Sequence, residues 1–133
     1  MYQSERTFIN KFLAALYKNG IRKIPYDTPQ FYAGVERMEA NFNQIKPNLG
    51  KYKHEIGMLF IRNPIGGIFD EFRKGISNQN GLLMTFENPD FVFATINIDE
   101  KDIEYILNRG DIDISNDVMI SFAESFREGA GLN

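Results

Sequence analysis

The sequence predicts an α+β domain: a small antiparallel sheet built on a β-hairpin at 82–98 and covered by about five helices. Two observations carry this prediction. The stretch GLLMTFENPDFVFATINI holds two runs of strand-forming residues around Glu87-Asn88-Pro89-Asp90, a turn with proline at its second position. Elsewhere, apolar residues recur at three- and four-residue steps, the spacing of one helix face.

The first helix starts near Ser4, a good cap residue, with Glu5 in its first turn. Phe8, Ile9, Phe12, Leu13, Leu16 and Tyr17 form its stripe, and Gly20 supplies a left-handed stop. IRKIPY is an extended connector, because Pro25 forces Ile24 out of the α region. Asp27 or Thr28 caps the second helix, with Pro29 at its first position. Phe31, Val35, Met38, Phe42 and Ile45 alternate steps of four and three along it. The simplest arrangement is an antiparallel helical hairpin over 4–45, packed on an α+β remainder. All of 1–133 then forms a single domain.

Residues 56–62 fit a strand, although Tyr52, Ile56, Leu59 and Phe60 also keep helical spacing. Asn63 and Pro64 open a third helix carrying Ile65, Ile68, Phe69, Phe72 and Ile76. Gly66 and Gly67 weaken its first turn. In the hairpin, Leu82, Met84 and Phe86 alternate on one strand, and Val92, Ala94, Ile96 and Ile98 on the other. Phe91 and Phe93 point the opposite way, so both faces are expected to be covered. A fourth helix spans about 100–109 and stops at Gly110. A fifth spans about 116–127, capped by Ser115, and 129–133 reads as a flexible tail.

Composition excludes several function classes. The chain has no cysteine, so disulfides, thiolate nucleophiles and cysteine-ligated metals are out. No run approaches the roughly 18 to 20 apolar residues of a membrane span. The first twenty residues, broken by Glu5 and Lys11, do not read as a signal peptide. A soluble cytoplasmic protein is expected. Charge is polarised: residues 1–80 carry twelve Lys/Arg against seven Asp/Glu, while 81–133 carry three against eleven. Either the two halves neutralise each other within the fold or a charged partner does so.

Residues 99–117, DEKDIEYILNRGDIDISND, hold seven acids. A calcium loop starting at Asp111 fails at its sixth position, Asn116, and its twelfth, Phe122. Helix ends explain Asp99, Glu100, Asp102 and Asp117. Asp111 and Asp113 alternate with Ile112 and Ile114 like a short strand with one wet face. Glu104, Asp111 and Asp113 are left without a local role, which makes them the candidate partner-binding residues.

Lys46, Lys51, Tyr52, Lys53 and Arg62 form a modest basic patch, too small to predict direct nucleic-acid binding. The helix–Gly–helix outline of 100–127 resembles a DNA-reading motif, but Asp117, Glu124 and Glu128 on its second helix would repel phosphate. No phosphate loop, nucleophile elbow or dinucleotide fingerprint is present, and no cofactor or metal is implied.

Three functional readings follow. The first is a non-enzymatic binding or regulatory protein acting through a protein partner, of the accessory type found in bacteria, phages and mobile elements. Its sharper form is an acidic inhibitor of a nucleic-acid-binding protein. The second is an assembly subunit that forms homo-oligomers through the Phe31, Val35, Met38, Phe42 and Ile45 stripe. The third is an enzyme using His54 and Glu55.

Overall fold

A computed structural model describes residues 1–63, 65, 67–87 and 92–133. Among them are six α-helices, a three-stranded antiparallel sheet and a two-stranded ribbon, an α+β fold as the sequence predicts.

Helix α1 spans Gln3–Lys18. Glu5 rather than Ser4 closes its N-terminus, accepting the Tyr2 N–H at 3.0 Å. Gly20, at φ +90°, ends the helix. The Ile21 amide then reaches the Leu16 carbonyl, and the Gly20 amide that of Tyr17. This double closure satisfies carbonyls that a helix end leaves unpaired. Helix α2 spans Pro29–Ile45, and the Thr28 hydroxyl accepts the Phe31 N–H at 3.3 Å. Helix α6 spans Asn116–Ala130, and the Ser115 hydroxyl caps it through the Val118 N–H.

Helices α1 and α2 do not pair as a helical hairpin. Helix α6 packs against both. Its Phe122 ring meets Phe8 at 5.1 Å, and Phe126 meets Phe12 at 5.5 Å and Phe31 at 6.1 Å. These edge-on aromatic contacts form the centre of the core. Helix α2 approaches α6 closely because both carry glycine at the contact. A methyl at Gly129 would stand 2.5 Å from the Ala33 carbonyl oxygen, and one at Gly34 would stand 2.6 Å from the Phe126 ring.

The end of the chain is therefore not a loose tail. Ala130 is buried, Gly131 takes the left-handed conformation, and the Leu132 N–H returns to the Arg127 carbonyl.

Of residues 56–62, expected as a strand, only Arg62 belongs to one. Helix α3, Lys53–Gly57, runs into a 3₁₀ turn, Met58–Phe60. The helical spacing of Ile56, Leu59 and Phe60 prevails, and all three are buried. The expected third helix starts later: α4 spans Asp70–Ser77. Before it, β2 (Arg62–Asn63) and β3 (Gly67–Ile68) form the ribbon. Gly67 sits at φ +99°, a conformation no right-handed helix contains. Ile65 and Ile68 are consequently exposed.

In the sheet, β5 (Phe93–Ile96) lies between β1 (Lys23–Pro25) and β4 (Met84–Phe86). The hairpin register pairs Thr85 with Thr95. Residues 88–90 of the expected turn, and Phe91, lie outside the described residues. Met84, Ala94, Ile96 and Ile98 face the core, whereas Leu82, Val92 and Phe93 are exposed, so the second face is not fully covered.

The β4 margin of the sheet is obstructed. The outward amide and carbonyl of Met84 bond to Gln79 and Gly81, and the Asn80 side chain takes the Phe86 N–H. On the other margin Lys23 and Pro25 point outward, and proline has no donor.

Helix α5 is short, Ile103–Leu107, preceded by one 3₁₀ turn at Glu100–Asp102 and ending at Asn108, before Gly110.

Candidate functional site

Two surfaces are candidates for a functional site: the acidic stretch 99–117 and the segment 46–61 that surrounds α3.

All seven acids of 99–117 are exposed. Their roles differ from the sequence expectation. The Asp99 side chain makes no cap hydrogen bond; only its carbonyl takes part, accepting the Asp102 N–H at 2.8 Å. Glu104 is paired with Lys18 at 2.8 Å. Asp111 accepts the Thr7 hydroxyl at 3.1 Å and the Gln3 amide at 3.5 Å, and forms an ion pair with Arg109. Asp113 makes no ion pair or side-chain hydrogen bond among the described residues. Residues 111–114 form turns and bends instead of a strand, yet the alternation holds: Ile112 and Ile114 are buried, Asp111 and Asp113 exposed.

Asp111 and Asp113 also act on Lys11, whose side chain is 2% exposed. The Lys11 ammonium donates to the Leu107 carbonyl at 2.9 Å, at the C-terminus of α5, where the helix dipole favours a cation. Burial pushes its pKa below the ordinary lysine value, and Asp111, then Asp113, push it back up. Glu104 and Asp111 thus have partners distant in sequence, Lys18 and Thr7, while Asp113 bears on Lys11 only through its charge.

The charge polarity between the halves is met in the same way. Lys18–Glu104, Lys23–Glu87 and Arg37–Glu128 all join the basic half to the acidic half.

A carboxyl group also lies inside the protein. Glu5 is 1% exposed, and its Oε2 atom has no ordinary donor. Its pKa is raised, first by burial and then by the neighbouring Glu71 carboxyl.

The stripe on α2 is turned inward. Phe31, Val35, Met38 and Phe42 are buried, and Ile45 packs against the core at its edge. Phe31 touches Phe126 and Phe72, and Phe42 stacks on Phe60. The stripe is covered by the chain itself, so it is not the free face that the assembly reading requires.

His54 and Glu55 are separated by their directions. The His54 ring is exposed and approaches Tyr2 edge-on at 6.5 Å between ring centres. The Glu55 carboxylate turns to α1 and accepts the Ser4 hydroxyl at 2.6 Å. Among the described residues no group of three or more His, Asp or Glu is arranged to hold a metal, and no helix is long and apolar enough to cross a membrane.

The basic patch divides. Arg62 leaves it for Glu39, at 2.6 Å, and Glu36, at 3.5 Å. The three lysines stay together. Lys46, Lys51, Lys53 and His54 rim a surface cleft of about 550 Å³, and Phe42, Gly57, Met58 and Ile61 line it. Among the described residues none of the four rim groups has a carboxylate within 4 Å. Lys51 instead lies 5.2 Å from the Tyr52 ring centre, a weak cation–π contact.

The cleft arises because α2 ends at Ile45 and the chain folds back through two 3₁₀ turns, Lys46–Asn48 and Gly50–Tyr52. Gly50, at φ +56°, permits this compact return. The sequence shows the lysines but not the hollow between them, since Met58 and Ile61 read as strand residues there. Comparison with protein-family models, with curated proteins and with solved structures finds no match to this chain.

Proposed function

We propose that the chain is a small non-enzymatic binding or regulatory protein, and that a protein partner docks at the cleft beside α3. One observation carries this reading: Lys46, Lys51, Lys53 and His54 ring an apolar hollow without an internal carboxylate to neutralise them. A hollow of this size lies in the range that small ligands and anchoring side chains occupy. The divergence of His54 and Glu55 supports the non-enzymatic part.

The alternative site is the acidic face, acting as an inhibitor of a nucleic-acid-binding protein. What favours it is that all seven carboxylates of 99–117 face solvent. What weakens it is that Glu104 and Asp111 already have cationic partners.

Placing a photocrosslinking residue at Ile61, on the cleft, or at Tyr105, on the acidic face, separates the two. The cleft reading expects a discrete protein adduct from position 61 that Lys51→Glu/Lys53→Glu abolishes. Adducts only from position 105 would move the site to the acidic face. Adducts from neither position would remove the protein-partner reading.

A further inference from the structure

We infer that the cleft receives an acidic segment of the partner, which seats one large apolar side chain between Phe42, Met58 and Ile61. This rests on the docking reading above and names the partner's chemistry.

Charge complementarity is the first argument. Lys18, Lys23, Arg62, Arg73, Arg109 and Arg127 each meet a carboxylate within 4 Å. Among the described residues the three rim lysines do not, and although Arg6, Lys11, Arg22 and Lys101 also lack one, the rim lysines are the ones gathered around a single hollow, in a chain whose net charge is −3. Unpaired cations around an apolar hollow attract carboxylates and steer their approach.

The second argument is the floor. It combines an aromatic edge, a thioether and a branched aliphatic side chain. Methionine adapts to an incoming side chain better than a branched residue does. Ile61, on the cleft itself, is 46% exposed, so an incoming apolar side chain has uncovered surface to meet.

The third argument selects a peptide over an extended polyanion. Asp113 shares the adjoining hollow with Lys51 and Tyr52. A nucleic acid strand or an anionic bilayer would span both hollows and meet the carboxylates of 111–117. A short peptide ends before it reaches them. A concave site also suits a protruding side chain better than a flat bilayer.

The test is selection of displayed random peptides on the full chain, followed by fluorescence anisotropy on the selected sequences. Expected sequences combine Asp or Glu with a Leu, Phe or Met. Their affinity should fall with added salt and drop roughly tenfold in Lys51→Glu/Lys53→Glu. Replacing the apolar anchor by Ser, or Ile61 by Glu in the chain, should weaken binding comparably. Both chain variants alter exposed side chains, and circular dichroism verifies their folding.

Selected peptides that are neutral or basic, yet compete at Ile61, would overturn the acidic partner and leave docking at the cleft standing. The same holds for acidic peptides whose apolar residue is dispensable. Selection that yields nothing sensitive to the cleft variants would overturn both. Tighter binding of phosphatidylserine vesicles or single-stranded DNA than of any peptide would replace the proposed partner with that polyanion.

Discussion

The buried Glu5 carboxyl on α1 has the Glu71 carboxyl of α4 as its neighbour, and its Oε2 atom meets no donor among the described residues. Burial and this neighbour raise the Glu5 pKa above its ordinary 4.5. The folded chain therefore holds the Glu5 proton more tightly than the unfolded chain. Its contribution to stability is full below the ordinary carboxyl range and is lost as pH rises through that range towards the raised value. Glu5→Gln keeps an acceptor for Tyr2 and gains a permanent donor for Glu71. Thermal melts from pH 4 to 8 should show a decline in wild type that the variant lacks. An identical decline in both proteins would sink this account.

Gly129→Ala should destabilise the chain, against the usual trend. Alanine in an exposed helix position normally adds about 1 kcal/mol relative to glycine. Here its methyl would press on the Ala33 backbone, a clash that costs about 1–3 kcal/mol unless α2 and α6 move apart. Urea unfolding decides the sign. A gain in stability would mean that the two helices do not approach as closely as described.

Lys11 should titrate below the chain's other lysines. Burial is the cause, and Asp111 and Asp113 limit the effect. Because the folded pKa is lowered, this group's contribution to stability improves as pH rises from the folded pKa through the ordinary lysine range. NMR of lysine labelled at Cε follows the proton directly. Asp111→Asn/Asp113→Asn should lower the Lys11 midpoint further and leave the distant Lys74 unchanged. A Lys11 midpoint that moves up, or stays fixed, would refute the internal role assigned to these acids.

Thr28→Ala and Ser115→Ala should each cost about 1 kcal/mol in urea unfolding, because each hydroxyl accepts an otherwise unpaired amide of a long helix. Ser4→Ala tests a different relationship, since Ser4 donates to Glu55 instead of capping α1. Its loss should disturb the α1–α3 contact, read as faster amide exchange at Ile56. No effect on α3 would show that this hydroxyl is dispensable.

Much of the fold is legible because it is local. Thr28 with Pro29, Ser115 with its following turn, and Gly20 after Leu16 each declare a helix end within a few residues. The pairing of β4 with β5 is declared by two short runs of strand-forming residues. The errors come where a short apolar run fits two periods. Ile56, Leu59 and Phe60 could be strand or helix until packing chose the helix. Ile65 and Ile68 kept helical spacing, but the left-handed Gly67 broke it. The pairing of helices was not legible either: α6, at the far end of the chain, separates α1 from α2. The candidate site was hidden for the same reason. Thr7 reaches Asp111 across 104 positions, and Lys18 reaches Glu104 across 86. Sequence alone therefore left these acids unexplained. The lysines of the cleft were visible from the start, but the hollow between them exists only once α2 and α3 are folded together.

The occupied β4 margin of the three-stranded sheet has a consequence for recognition. With the Met84 backbone already bonded to Gln79 and Gly81, no incoming strand can pair with it there. The proposed cleft is lined by no residue of β1, β4 or β5, so a peptide seated in it is read through its side chains and not by adding a strand to this sheet. A selected peptide should therefore tolerate N-methylation along its backbone, while its affinity stays sensitive to each acidic or apolar side chain it carries.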